Sequence, residues 1–167
     1  MDMDGAEGEA TPGLIEFARW ETVVERDELT LTGLTYVCAD TVTYPEAELA
    51  VSDLKYDPSY ALQARFLSRQ KQAIVNVTAR NVRAFRVLDE GGLVDIWTAA
   101  RQEGGISHST FRVRGHGWQT ESELEWLMED APGGYSYLIA TPWQCLELVC
   151  RNPPEIEIAP AIIRLPH

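Results

Sequence analysis

The chain is poor in the residues that most protein chemistry requires. Of its 167 residues, three are cysteine and three are histidine. No two cysteines form a Cys-x-x-Cys pair, and an odd, small number does not make the disulfide framework of a small secreted domain. Cys145 and Cys150 stand five apart in a strand-like run, where they face opposite sides and do not pair, so Cys38, Cys145 and Cys150 read as buried free thiols. Zinc is held by three or four ligands at short spacings. Arg112 and Arg114 separate His108 from His116, no cysteine lies near them, and His167 is the last residue, so no metal is expected.

Other absences narrow the class further. No apolar run approaches the ~20 residues of a membrane span. The opening Met1-Asp2-Met3-Asp4-Gly5-Ala6-Glu7 is the reverse of a basic-then-apolar export signal, which points to the cytoplasm. Phosphate-loop and dinucleotide fingerprints are missing, as is a Gly-x-Ser-x-Gly nucleophile turn; Gly91-Gly92 and Gly104-Gly105 read as turns. The expectation is therefore no cofactor and no catalytic residue.

Basic residues are also scarce: 14 Lys and Arg against 26 Asp and Glu give a net charge of −12. Such a surface is repelled by nucleic acid and by anionic membranes and is drawn to a basic partner. The imbalance is uneven. Residues 1–57 carry −11, residues 58–118 carry +5, and residues 119–167 carry −6.

What the sequence does have is apolar residues (45%) arranged mostly in short alternating runs, the pattern of strands. Residues 1–13 are small, acidic and broken by Gly and Pro, and read as a disordered tail ahead of one domain at 14–167. Strands are expected at 14–20, 29–38, 48–56, 73–79, 82–88, 110–114, 135–139 and 144–149, with short extended pieces to the end. Asp89-Glu90-Gly91-Gly92 turns the chain back into a strand at 93–97. Asp57-Pro58 is a helix entry, and Leu62 and Phe66 at i and i+4 extend a helix to Lys71. Thr120-Glu121-Ser122-Glu123 fits a capping box before a short acidic helix at 121–129. The fold class that follows is mainly β: an antiparallel sandwich or open barrel of about nine strands with one or two short helices.

Three groups of residues are candidates for a site. Arg114-Gly115-His116-Gly117-Trp118-Gln119 holds an imidazole and an indole between glycines. That segment suits a tight turn with a packing Trp, a binding loop, or a general base, and the reading leaves all three open. Arg80, Arg83, Arg86, Arg112 and Arg114 form either a basic face that clamps an anion or a set of cross-strand pairs with Asp89, Glu90 and Asp95, the bland and favoured outcome. Glu121, Glu123, Glu125, Glu129 and Asp130 are a solvated helix face, or an acidic surface for a basic cleft.

Val82-Arg83-Ala84-Phe85-Arg86-Val87-Leu88-Asp89-Glu90-Gly91 with Ile96-Trp97, and the run from Tyr137 to Val149, resemble small bacterial immunity-type proteins encoded near polymorphic toxins. The likeness covers about a third of the chain and rests on strand and turn signatures. It implies a cytoplasmic protein that neutralises a toxin by binding it, with Arg114, His116, Trp118, Glu121, Glu123 and Glu125 as the candidate binding residues from the reading above. Two other functions stay open at this point: a small-ligand protein or enzyme with a pocket around His116 and Trp118, and a structural subunit that forms a homodimer.

Overall fold

The computed structural model describes residues 14–37, 41–44, 47–50, 61–104, 106–121, 124–129 and 131–161. The acidic tail, Cys38, the expected strand beyond Ala50, the helix entry at Asp57-Pro58, Glu123, Asp130 and the last six residues lie outside them.

Two antiparallel sheets dominate. The first runs β1 (Glu16–Arg19), β8 (Thr110–Arg114), β9 (Ser136–Ile139), β10 (Gln144–Cys150) and β7 (Val82–Asp89) in spatial order. The second runs β11 (Glu155–Pro160), β6 (Ala73–Ala79), β5 (Ala61–Ser68) and β2 (Leu29–Val37). A separate hairpin pairs β3 (Thr41–Tyr44) with β4 (Ala47–Ala50). The expected β-rich sandwich is the fold observed.

Strand periodicity explains the main core. Val75, Val77 and Ala79 of β6 are buried while the alternate positions are half-exposed. Leu62, Ala64 and Phe66 of β5 join them, and Tyr137, Ile139, Leu146, Leu148 and Cys150 close the layer from the opposite sheet. Trp20 crosses Tyr137 edge to face at 5.0 Å, which seals the same core beside β1. Full burial of a side chain such as Phe66 contributes about 1.5–3 kcal/mol.

The outer face of the five-stranded sheet is also covered, so β10 is buried on both sides. Helix α1 (Val94–Gln102) lays Ile96 on Phe111, Val113, Leu138 and Cys145, with Leu93 beside it. Further along the same face, the one-turn helix α2 (Glu125–Met128) and Ala131 cover Val149 with Ala84 and Trp118. Because residues two apart on a strand share a face, Cys145, Glu147 and Val149 line up beneath this cover, with the carboxylate between two apolar clusters.

Two expectations are corrected. The segment ending at Lys71 is strand β5, not a helix. Spacing i, i+4 is an even step and so fits a strand face as well as a helix face; Leu62, Ala64, Phe66 and Ser68 are all buried, which only period two allows. Conversely, 93–97 is not a return strand. Asp89 accepts from the Gly92 amide and starts a 3₁₀ turn at Glu90–Leu93 that runs into α1, whose buried Ile96 and Ala100 follow Leu93 at helical spacing.

Cys145 and Cys150 are free and buried in different cores, as their spacing requires. Burial pushes both thiols up, Cys150 to about 12. With Cys38 changed to Ser, native protein at neutral pH is expected to resist a thiol reagent and to release two reactive thiols on unfolding. Titration of the reagent with and without denaturant checks this.

Candidate functional site

The Gly-His-Gly-Trp segment is where buried polarity concentrates. After β8 the chain reverses at Gly115 and folds a 3₁₀ turn, Gly117–Thr120, over the outer face of the sheet. His116 enters that face 1% exposed and meets Glu147, also 1% exposed, at 2.6 Å from Nε2 to Oε1. The hydroxyl of Ser136 donates to the same carboxylate oxygen. Arg86, opposite Glu147 on β7, donates from Nε to Oε2 at 2.9 Å. Its Nη2 lies 2.8 Å from that oxygen and 3.4 Å from His116 Nδ1. A guanidinium carries only donors, so Nδ1 is the acceptor and the Nε2–H points at Glu147.

A second ring of bonds fixes the loop itself. Gln119 donates to the Val113 carbonyl at 3.0 Å and to Ser136 Oγ at 2.9 Å, while its oxygen accepts from the Gly115 amide at 2.9 Å. Trp118 lies nearly parallel to His116, at an interplanar angle of 11°, and the Arg86 guanidinium sits 4.6 Å above the indole. Four side chains distant in sequence thus meet on one carboxylate or on each other, and among the described residues no buried side-chain polar atom is left without a partner.

The geometry decides what this cluster can do. Nucleophilic catalysis places the base against the nucleophile. Here the carboxylate stands between Ser136 and His116, and both oxygens are occupied. The arrangement is a clamp that ties the 115–120 loop to the central strand. The sequence reading identified His116 and Trp118 but missed Glu147, Ser136 and Gln119. The available signal was a carboxylate inside the apolar run Cys145–Cys150, buried on both faces and therefore in need of a cation or several donors.

The other expected site residues fall elsewhere. Arg114 pairs with Glu16 at 2.7 Å and stands over Tyr135 at 4.8 Å, with Arg112 above the same ring. The Arg114 hydrogen bond and charge hold the Glu16 carboxyl below the usual carboxylate range. Glu121, ahead of α2, and Glu125, its first residue, are exposed, and Glu123 lies outside the described residues. Nor do the arginines form one face or pair with Asp89, Glu90 and Asp95. Arg80 approaches Glu155 at 3.9 Å, Arg86 takes Glu147, and Arg83 and Arg86 point to opposite sides because they stand three positions apart, an odd step, on one strand.

A smaller polar cluster ties the hairpin between β5 and β6 to the loop before β2. Asp27, 8% exposed, accepts from Ser68 Oγ at 2.7 Å and from Lys71 Nζ at 3.2 Å. Among the described residues no group of three or more His, Cys, Asp or Glu is arranged to hold a metal ion. No helix of the described residues is long and apolar enough to cross a membrane. No family model matches this chain, and no curated protein or solved structure matches it either.

Proposed function

We propose that this protein acts by binding a basic protein, and that the partner is a toxin which it neutralises by direct contact in the cytoplasm. The observation that carries the reading is the net charge of −12, concentrated in the first and last thirds of the chain. A field of that size raises the encounter rate with a cationic surface and opposes nucleic acid. The structure adds support in how it spends its buried groups. His116, Glu147, Ser136 and Gln119 satisfy one another and fix a loop, so their chemistry is committed to scaffolding a surface.

The test is neutralisation. Co-expression with the basic products of adjacent genes is expected to abolish the toxicity of one of them, and the purified pair is expected to form a one-to-one complex. Loss of complex as salt rises would mark the electrostatic component. If no adjacent product is toxic, or if none is rescued, the reading is wrong.

A further inference from the structure

The β9–β10 turn and the start of α1 build an exposed apolar surface. Trp143 is 73% exposed and Val94 61% exposed; with Leu14 and Val23 they are the most exposed large apolar side chains among the described residues. An indole held out in water is a poor arrangement unless something covers it. The turn that carries it is firmly bonded. Thr141 Oγ1 accepts from the amides of Trp143 and Gln144 at 3.1 and 2.8 Å, and the Trp143 carbonyl accepts from the Glu90 amide at 3.1 Å. Trp97 then braces Glu90 by donating its indole N–H to the Glu90 carbonyl at 2.9 Å. Beside this lies an open cleft of about 530 Å³ floored by Val94, Trp97, Ala100 and Ile106 and edged by Glu90 and Thr141.

Glu90 and Arg101 line the cleft, and Asp89 and Asp95, the neighbours of Glu90 and Val94 in sequence, are exposed. Asp89 and Asp95 bond only to backbone amides, of Gly92 and Ile96, and among the described residues none of the three carboxylates has a cationic partner. That outcome is the opposite of the cross-strand pairing expected from sequence. It leaves an apolar floor and an exposed Trp beside three exposed carboxylates that have no cationic partner among the described residues, which complements a cationic segment carrying an apolar side chain.

We infer that the surface of Trp143, Val94 and the 89–95 carboxylates is where the basic protein partner docks. The inference rests on the binding function proposed above and names its location. An apolar side chain of the partner fills the cleft against Val94 and Trp97, Trp143 covers it, and flanking Lys or Arg residues meet Asp89, Glu90 and Asp95.

The full chain carrying a photoreactive benzophenone side chain at Val94, or at the exposed β11 residue Ile158 as a control, would be irradiated in extract of the cell that encodes it. Adducts would be identified by mass spectrometry and competed with unlabelled protein. The expected result is an adduct at position 94 with a protein of net positive charge. Unlabelled wild type should displace it, while Trp143→Ala and Glu90→Arg should require at least about tenfold more protein. Both changed side chains are exposed, so matching melting temperatures would exclude misfolding. An adduct from Ile158 only, an acidic adduct, or equal competition by the variants would overturn the location. If toxin neutralisation nevertheless succeeds, the binding function stands without this surface. If neutralisation fails and neither position gives an adduct, both are overturned.

Discussion

Glu147→Ala is expected to lower the stability of the protein by about 3–5 kcal/mol, the range found when one partner of a buried ion pair is removed. The number is large because four donors lose their acceptor together. Arg86 keeps a charge at a side chain only 20% exposed, and His116 and Ser136 keep N–H and O–H groups in sites that are essentially dry. Desolvation of each was offset by the carboxylate; Ser136 has a second acceptor in the Val113 carbonyl at 3.2 Å, so the loss falls mainly on Arg86 and His116. Glu147→Gln is expected to rescue little. An amide whose oxygen faces His116 and Ser136 turns its NH2 toward the Arg86 guanidinium, donor against donor. Replacing Arg86 by Met together with Glu147 by Leu should recover part of the loss, since an apolar pair leaves no orphaned charge. Urea unfolding of the four proteins measures this directly. A loss below about 1 kcal/mol for Glu147→Ala would mean that the loop is held by Trp118 and Gln119 instead.

The same cluster marks the boundary of what the sequence could show. Strand alternation made β6 and β7 legible, because a half-buried strand writes its two faces into every second residue, whereas β10, buried on both faces, shows as a short apolar run after Thr141-Pro142. The turn glycines and Pro132 placed most of the breaks. Period alone failed where a segment was short or its spacing ambiguous. Leu62 and Phe66 satisfy both periods, and the five residues 93–97 are too few to separate a helix from a strand; the decisive Ala100 lay beyond the window. The site was half legible for a different reason. His116 and Trp118 stood out as rare residues between glycines, but Glu147 is 31 residues from His116 and 61 from Arg86. That meeting is made by the antiparallel register of β7 and β10, which sets Arg86 opposite Glu147, and by a loop that crosses back over the sheet. Acids and arginines close in sequence suggest pairs, whereas strand facing directs Arg86 inward and leaves Asp89 exposed.

Gly115→Ala adds one methyl group and is expected to cost more than any other alanine placed in the 115–119 turn by the same one-atom change. Gly115 has φ of +83°, the left-handed region in which a side chain strains its own backbone by on the order of 1–3 kcal/mol. Space is also missing. A Cβ at this position would stand 2.4 Å from the Leu14 carbonyl oxygen and 3.2 Å from its carbon, which are backbone atoms and do not rotate away. The chain entering β1 must therefore move, and with it the pairing of Glu16 to Arg114 that follows directly. On the other side, the Gly115 amide is the donor that orients Gln119, and Gln119 in turn holds Ser136 against Glu147. One methyl thus loosens the edge strand and the clamp together. Gly117 is the internal control: a Cβ there meets nothing within 4 Å. Gly117→Ala should change stability by no more than about 0.5 kcal/mol, as surface substitutions usually do. Comparing the two by denaturant unfolding, with hydrogen exchange read at β1 and β8, separates strain at one glycine from a general intolerance of the loop. Equal stability of the two variants would show that Leu14 yields freely and that the reversal at Gly115 does not tie β1 to the clamp.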